Sequence, residues 1–143
     1  MKTDAIFYQL FQTIPDLFFE LAGIAYSESY QFQAVELKQT AFRLDGIFVP
    51  KDIDLPLIFV EVQFQKDATF YSRFFSEIML YLHQQQPKHT AWQAVAIFPS
   101  RMVDNASLRH YPLLIPALQR IYLDEILLTN QPSALNLLGM IIG

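Results

Sequence analysis

Two short stretches carry side chains that could do chemistry: Arg43-Leu44-Asp45-Gly46 and Phe59-Val60-Glu61-Val62-Gln63. Each sets polar groups into an apolar run that otherwise reads as a buried strand. Carboxylates are almost never fully buried unless they are paired or bind a metal. Asp45, Glu61 and Gln63 therefore ask for a partner, and a divalent cation is the obvious candidate. Along a strand, residues two apart share a face about 6.6 Å apart. Strict alternation groups Arg43, Asp45, Ile47 and Val49 on one face, and Phe59, Glu61, Gln63 and Gln65 on one face of the next strand. If the two strands are neighbours, Asp45 and Glu61 reach one hard cation, with water and phosphate oxygens completing its shell, as Mg²⁺ requires. An amphipathic strand that leaves Glu61, Gln63 and Gln65 in water, with Asp45-Gly46 as a bulge or turn, accounts for the same pattern.

The elements that must position these groups follow from periodicity and punctuation. Thr3 is a candidate cap for a helix with Ile6, Phe7, Leu10, Phe11 and Ile14 at helical spacing. Pro15 restarts it, Leu17, Phe18 and Leu21 continue the apolar face, and Gly23 stops it. Strands are expected over residues 30–38, 41–49 and 57–65, the last too apolar at its start for a wet edge. The spacing predicts a helix over 70–85, with Tyr71, Phe74, Phe75, Ile78 and Leu82 on one face and Arg73, Glu77 and Gln84 on the other. Residues 92–98 form a continuous apolar run, as in a strand covered on both faces. Pro112 and Pro116 allow only short helical turns over 104–118, and a last strand is expected at 120–123. Helix, three strands, helix, strand, short helix and strand make an α/β fold with a mixed central sheet flanked by helices.

The 143 residues suit one domain with a proper core. Thirteen phenylalanines and a 52% hydrophobic fraction argue against disorder and for an aromatic interior. Cysteine is absent, which excludes disulfides and thiolate metal sites and fits a cytoplasmic location. No apolar stretch reaches the roughly 20 residues of a membrane span, and the acid at Asp4 argues against a secretory signal. A net charge of −4 speaks against a broad basic nucleic-acid surface, but not against a metal-dependent nuclease whose cation offsets clustered acids. His83, His89 and His110 lie too far apart in sequence to read as a shared metal site, and a surface role is expected for each. Tyr71 and Tyr81 read as core. Ser133 could cap a final helix, and the ending Met140-Ile141-Ile142-Gly143 leads us to expect a further C-terminal segment. The apolar tail residues need cover, which makes a homodimer plausible.

The phrases Phe7-Tyr8-Gln9-Leu10-Phe11, Phe18-Phe19-Glu20-Leu21, Ala41-Phe42-Arg43-Leu44-Asp45-Gly46, Phe59-Val60-Glu61-Val62-Gln63-Phe64-Gln65 and Phe70-Tyr71-Ser72-Arg73-Phe74-Phe75-Ser76-Glu77-Ile78 carry a resemblance. An acid on the second strand and Glu-X-Gln on the third resemble the PD-(D/E)XK nuclease superfamily. The longer phrases resemble the bacterial recombination-promoting nuclease and transposase-like group, one branch of which has no assigned function. The resemblance runs from about residue 4 to residue 125. It implies a restriction-endonuclease-like α-β-β-β-α-β core and a Mg²⁺- or Mn²⁺-dependent endonuclease acting on DNA in recombination or transposition. It implies that Asp45 and Glu61 bind the metal, and that Glu20 on the first helix matches an acid some members add. Gln63 stands where most members carry a lysine that positions the attacking water. Without that ammonium another cation must serve, and Arg43 and Arg73 are the candidates. For Arg73, an i,i+4 pair with Glu77 is an equally good account. The competing expectation keeps the fold but makes the chain a binding module with a weakened or inactive site.

Overall fold

The computed structural model describes residues 3–37 and 42–126. The capping role expected of the Thr3 side chain and the final helix after Ser133 lie outside the described residues.

Apolar spacing in the first twenty residues builds two consecutive helices, α1 (Thr3–Thr13) and α2 (Pro15–Ala22). Pro15 opens α2 because its missing N–H would have no helical partner there. Gly23 ends it in the left-handed region at φ 69°, a conformation glycine adopts without steric cost. Then come β1 (Tyr30–Glu36), β2 (Arg43–Pro50), β3 (Leu57–Val62), α3 (Phe70–Gln85), β4 (Trp92–Phe98), a 3₁₀ turn at Ile115–Ala117, β5 (Leu118–Tyr122) and a short α4 (Leu123–Ile126). The expected order of helices and strands is met; α4 is an addition.

The sheet runs β1-β2-β3-β4-β5, antiparallel across β1, β2 and β3 and parallel across β3, β4 and β5. It is the mixed sheet expected, with β3 at its centre. Helices cover both faces, so β3 is buried along its whole length. Phe48, Ile58, Val60, Val62, Val95 and Ile97 pack against α1 and α2 with Phe7, Phe11, Phe18 and Phe19. On the other face, Ile47, Leu57, Phe59, Ala94 and Ala96 pack against Phe70, Phe74, Phe75 and Ile78 of α3. Ala94 and Ala96 are fully buried beneath this aromatic layer, where small side chains leave room for its rings.

Strict alternation fails in β2. Gln33 faces Ile47 and Val35 faces Leu44, so Asp45 and Gly46 together oppose the single residue Ala34. This is a β-bulge, and it puts Leu44 and Ile47 in the same core layer. The face-sharing expected of Asp45 and Ile47 is thereby corrected, and the bulge that the plainer reading allowed is present. Gly46 is needed at the bulge: a Cβ there would stand 2.9 Å from Phe32 Cζ and 3.3 Å from Tyr8 Cε1.

Candidate functional site

The site lies where β2 and β3 part. Their ladder pairs Ile47 with Phe59 and Phe48 with Ile58 and goes no further. Extending that register would set Asp45 opposite Glu61, but the bulge turns β2 away first. The separation would leave the Val62 N–H without a partner strand. Tyr8 of α1 supplies the substitute: the Val62 N–H donates to its hydroxyl at 2.8 Å, and the hydroxyl donates to Glu61 Oε2 at 3.4 Å. Burial first, then the charge of Glu61, push the Tyr8 phenol well above its usual range, so it stays a donor.

Glu61 is 5% exposed, and its side chain meets α3. There Arg73 Nη1 approaches Glu61 Oε2 at 3.8 Å and Glu77 Oε2 at 3.6 Å, while Arg73 Nη2 meets Asp67 Oδ2 at 3.3 Å. Asp67 Oδ1 also accepts the Thr69 N–H and hydroxyl just before α3. Those bonds hold the Asp67 carboxyl below its ordinary range. Glu77 is 2% exposed, which corrects the expectation that it lies on a polar helix face. Phe70, Phe74, Phe75, Ile78 and Tyr81 bury so much of the circumference of α3 that Glu77 is enclosed as well.

The two acids are electrostatically strained. Burial first, and the neighbouring Glu77 charge second, push Glu61 well above the usual carboxylate range, while Arg73 pulls it back. Glu77 is pushed up to about 7 by burial, against the pull of Arg73 and with a further push from Asp45. Among the described residues, buried Glu61 Oε1 and Glu77 Oε1 have no hydrogen-bond partner, though the two carboxyl groups lie within reach of each other.

Asp45 stands at the outer side of the fork. Its side chain is 43% exposed, and Oδ1 accepts a bond from Arg43 Nε at 3.0 Å. Arg43 also reaches Glu36 at 3.1 Å. Asp45 and Arg43 line a cleft of about 330 Å³ with Tyr8, Gln9, Gln12 and Phe32. Behind burial and nearer charges, the Asp45 carboxylate also pushes up Tyr8, Glu61 and Glu77.

Of the remaining predicted residues, Gln63 and His89 have partners of their own. Gln63 follows β3; its N–H pairs with the Ile97 carbonyl, and its side-chain amide donates to the Gln65 carbonyl. Glu20 is exposed on α2, and among the described residues no hydrogen bond or ion pair joins it to Asp45 or Glu61. His83 and His110 are exposed as expected, whereas His89 is half-buried with Nε2 2.6 Å from the Pro50 carbonyl oxygen. Tyr71 and Tyr81 are core residues, as expected. Sequence reasoning missed Tyr8 as a site residue and took Glu77 for a surface partner. The only sequence signals for them were a tyrosine inside an aromatic helix and a four-residue spacing from Arg73.

The donors suit a hard, oxygen-seeking cation, and the buried, unpartnered Oε1 atoms are the kind of group such an ion satisfies. Among the described residues, no three acids or histidines are already gathered closely enough to hold one. Fit to a divalent ion therefore rests on pairs of acids with water and substrate oxygens, a common arrangement for Mg²⁺.

Fold and site together define a mixed α/β domain with an acid-lined fork at the centre of its sheet. The chain belongs to the family described as "Protein of unknown function (DUF2887)", whose profile matches residues 3–143. Comparison with curated proteins and with solved structures gave no match. Among the described residues, no helix is long and apolar enough to cross a membrane.

Proposed function

We propose that this protein is a metal-dependent endonuclease that hydrolyses DNA phosphodiester bonds, in recombination or transposition. The observation that carries the reading is Glu61: an acid in the middle strand of a covered sheet, 5% exposed, with one oxygen unpartnered, at a fork whose other side is Asp45. A buried carboxylate with an unpartnered oxygen carries a desolvation cost that a bound cation would relieve.

Asp45 and Glu61 would hold Mg²⁺ or Mn²⁺, which supplies a water of lowered pKa and positive charge for the phosphoryl oxygens. The chain's own groups divide the remaining work. The Tyr8 hydroxyl, held by the Val62 N–H, points a donor toward Glu61 Oε2 at 3.4 Å. Gln9 and Gln12 present amides along the cleft that can hydrogen-bond a phosphodiester oxygen or a water. Arg73 brings a guanidinium to the acids from α3, a cation in a site where residue 63 is glutamine. The resemblance to PD-(D/E)XK nucleases supports the same assignment of Asp45 and Glu61.

One observation favours a second reading, a binding module on an inactive nuclease fold. Gln63 is turned to a backbone carbonyl, and Arg73 already contacts both buried acids. Incubation of purified protein with supercoiled, single-stranded and branched DNA, in Mg²⁺, Mn²⁺ or EDTA, decides between the two. The nuclease reading expects cutting that requires the metal and is lost in Asp45→Ala and Glu61→Ala. Absence of cutting on every substrate, with no divalent-ion binding, leaves the binding module.

A further inference from the structure

The buried acid on α3 is unexplained by the roles assigned so far. Glu77 is 2% exposed, within hydrogen-bonding reach of the Glu61 carboxyl, and its Oε1, like that of Glu61, has no partner. Arg73 does not satisfy either atom. Its contacts of 3.8 and 3.6 Å go to the two Oε2 atoms and exceed the usual N–H···O length of about 2.7–3.2 Å. Its shorter ion pair is with Asp67. Simple helix pairing with Arg73 would have left Glu77 in water, since i,i+4 pairs form readily on exposed faces. Here two acids, one from a strand and one from a helix, are instead brought together out of solvent. That arrangement is costly unless a shared proton or a cation joins them.

We infer that Glu77 is a further metal-binding carboxylate, holding the divalent cation from the helix side while Glu61 holds it from the sheet. The inference rests on the metal-dependent reading proposed above and pairs Glu77 with Glu61, while Asp45 faces the cleft. Both acids stand on regular elements packed into the aromatic core, so the pair is rigidly placed. Asp45 is the outer acid, neutralised by Arg43 and open to the cleft where substrate oxygens enter. Arg73 is then the competitor of the ion, a cation on the same acids when no metal is bound. Water and phosphate oxygens fill the remaining positions, as they do for Mg²⁺ held by one or two carboxylates.

A binding titration tests this without any activity assay. Mn²⁺ is titrated into the full chain and the free aqueous ion is followed by electron paramagnetic resonance. Wild type is compared with Glu77→Gln, Arg73→Gln, their double variant, Asp45→Asn and Glu61→Gln, the fold of each being checked by circular dichroism. Loss of an outer partner of a ligand weakens metal sites roughly 10–100-fold, and a direct ligand should cost at least as much. We expect Glu77→Gln to weaken binding about tenfold or more, Arg73→Gln to tighten it, and the Glu77→Gln loss to persist when Arg73 is also replaced. Unchanged affinity in Glu77→Gln, or a loss that disappears in the Arg73→Gln background, overturns the role of Glu77. If only Asp45→Asn and Glu61→Gln weaken binding, the metal-dependent reading stands and this inference alone falls. If wild type binds no Mn²⁺, both fall. Should Glu77→Gln fail to fold, Glu77→Asp carries the same comparison: weakened binding supports the inference, and unchanged affinity overturns it.

Discussion

Two buried carboxylate sites lie against α3, and they are built on opposite plans. At one, the Asp104 side chain is 4% exposed and accepts bonds from Tyr71 at 2.6 Å and from Tyr122 at 2.5 Å, with Arg120 at 3.4 Å. Two neutral donors and a cation share its oxygens, and neither oxygen is left over. Burial, and then the bond to Asp104, raise the phenols of Tyr71 and Tyr122, which keeps both as donors. At the other, Glu61 and Glu77 have one guanidinium at long range, one phenol and two unpartnered oxygens. A satisfied buried acid ties elements together, here α3, β5 and the loop after β4. A half-satisfied one is a liability that folds retain where a ligand completes it.

The comparison can be broken most decisively through activity. Under the nuclease reading, Glu61→Gln should lower metal-dependent DNA cleavage by more than about a hundredfold while the melting temperature holds or rises. Asp104→Asn should leave cleavage within a few-fold. Cleavage rates on one DNA substrate, measured beside thermal melts, check both. If Asp104→Asn abolishes cutting and Glu61→Gln does not, the two sites have been assigned the wrong way round.

Stability should show the reverse order. Asp104→Ala strands two phenols and should cost about 2–5 kcal/mol in urea unfolding, from roughly 1–3 kcal/mol for each buried donor left without its acceptor. Glu77→Gln removes like-charge repulsion and should be neutral or stabilising in metal-free protein.

The pH dependence sharpens the contrast. Glu61 and Glu77 titrate above their unfolded values, so between about 4.5 and about 7 the folded state binds more protons than the unfolded chain. Metal-free protein should therefore lose stability as pH rises through that window, by up to about 1.4 kcal/mol per pH unit for each group. Asp67, held below its ordinary range, acts in the opposite sense at lower pH. Urea midpoints in EDTA at pH 5 and pH 8 measure the slope, and Glu77→Gln should flatten it. A profile identical in wild type and variant would show that the pair is not strained.

The smallest effects concern the edges of the fork. Tyr8→Phe leaves the Val62 N–H without its acceptor and should cost about 1–3 kcal/mol in urea unfolding. Glu20→Gln, at an exposed helix position, should change stability by less than about 0.5 kcal/mol. A large loss of metal binding in Glu20→Gln would restore Glu20 to the site.

How far the sequence could be read follows from the same physics. The span of α3 was legible to the residue because Pro87 and a long helical period bound it, and β4 because an uninterrupted apolar run has few other uses. The burial of Glu61 inside β3 was legible, because its strand is an almost unbroken apolar run. The bulge was not, since one extra residue against Ala34 leaves no mark except Gly46. Nor was the burial of Glu77, because a helix enclosed on most sides defeats a two-face reading. Alternation gave Gln63 its strand face, but not that its side-chain amide donates to the Gln65 carbonyl just beyond β3.

The Tyr8 hydroxyl also has a consequence for the order of folding. It joins residues 53 and 54 positions apart in the chain, a separation no local element can bridge. Contacts of that span are closed late, after loop-closure entropy has been met by the sheet and by the packing of α1 upon it. Closure of the fork is therefore expected to follow formation of the sheet and docking of α1. A lesion at Tyr8 should accelerate unfolding and leave the refolding rate nearly untouched, in stopped-flow measurements on the variant. The site would then open and close on a clock of its own, set by how firmly the first helix stays docked.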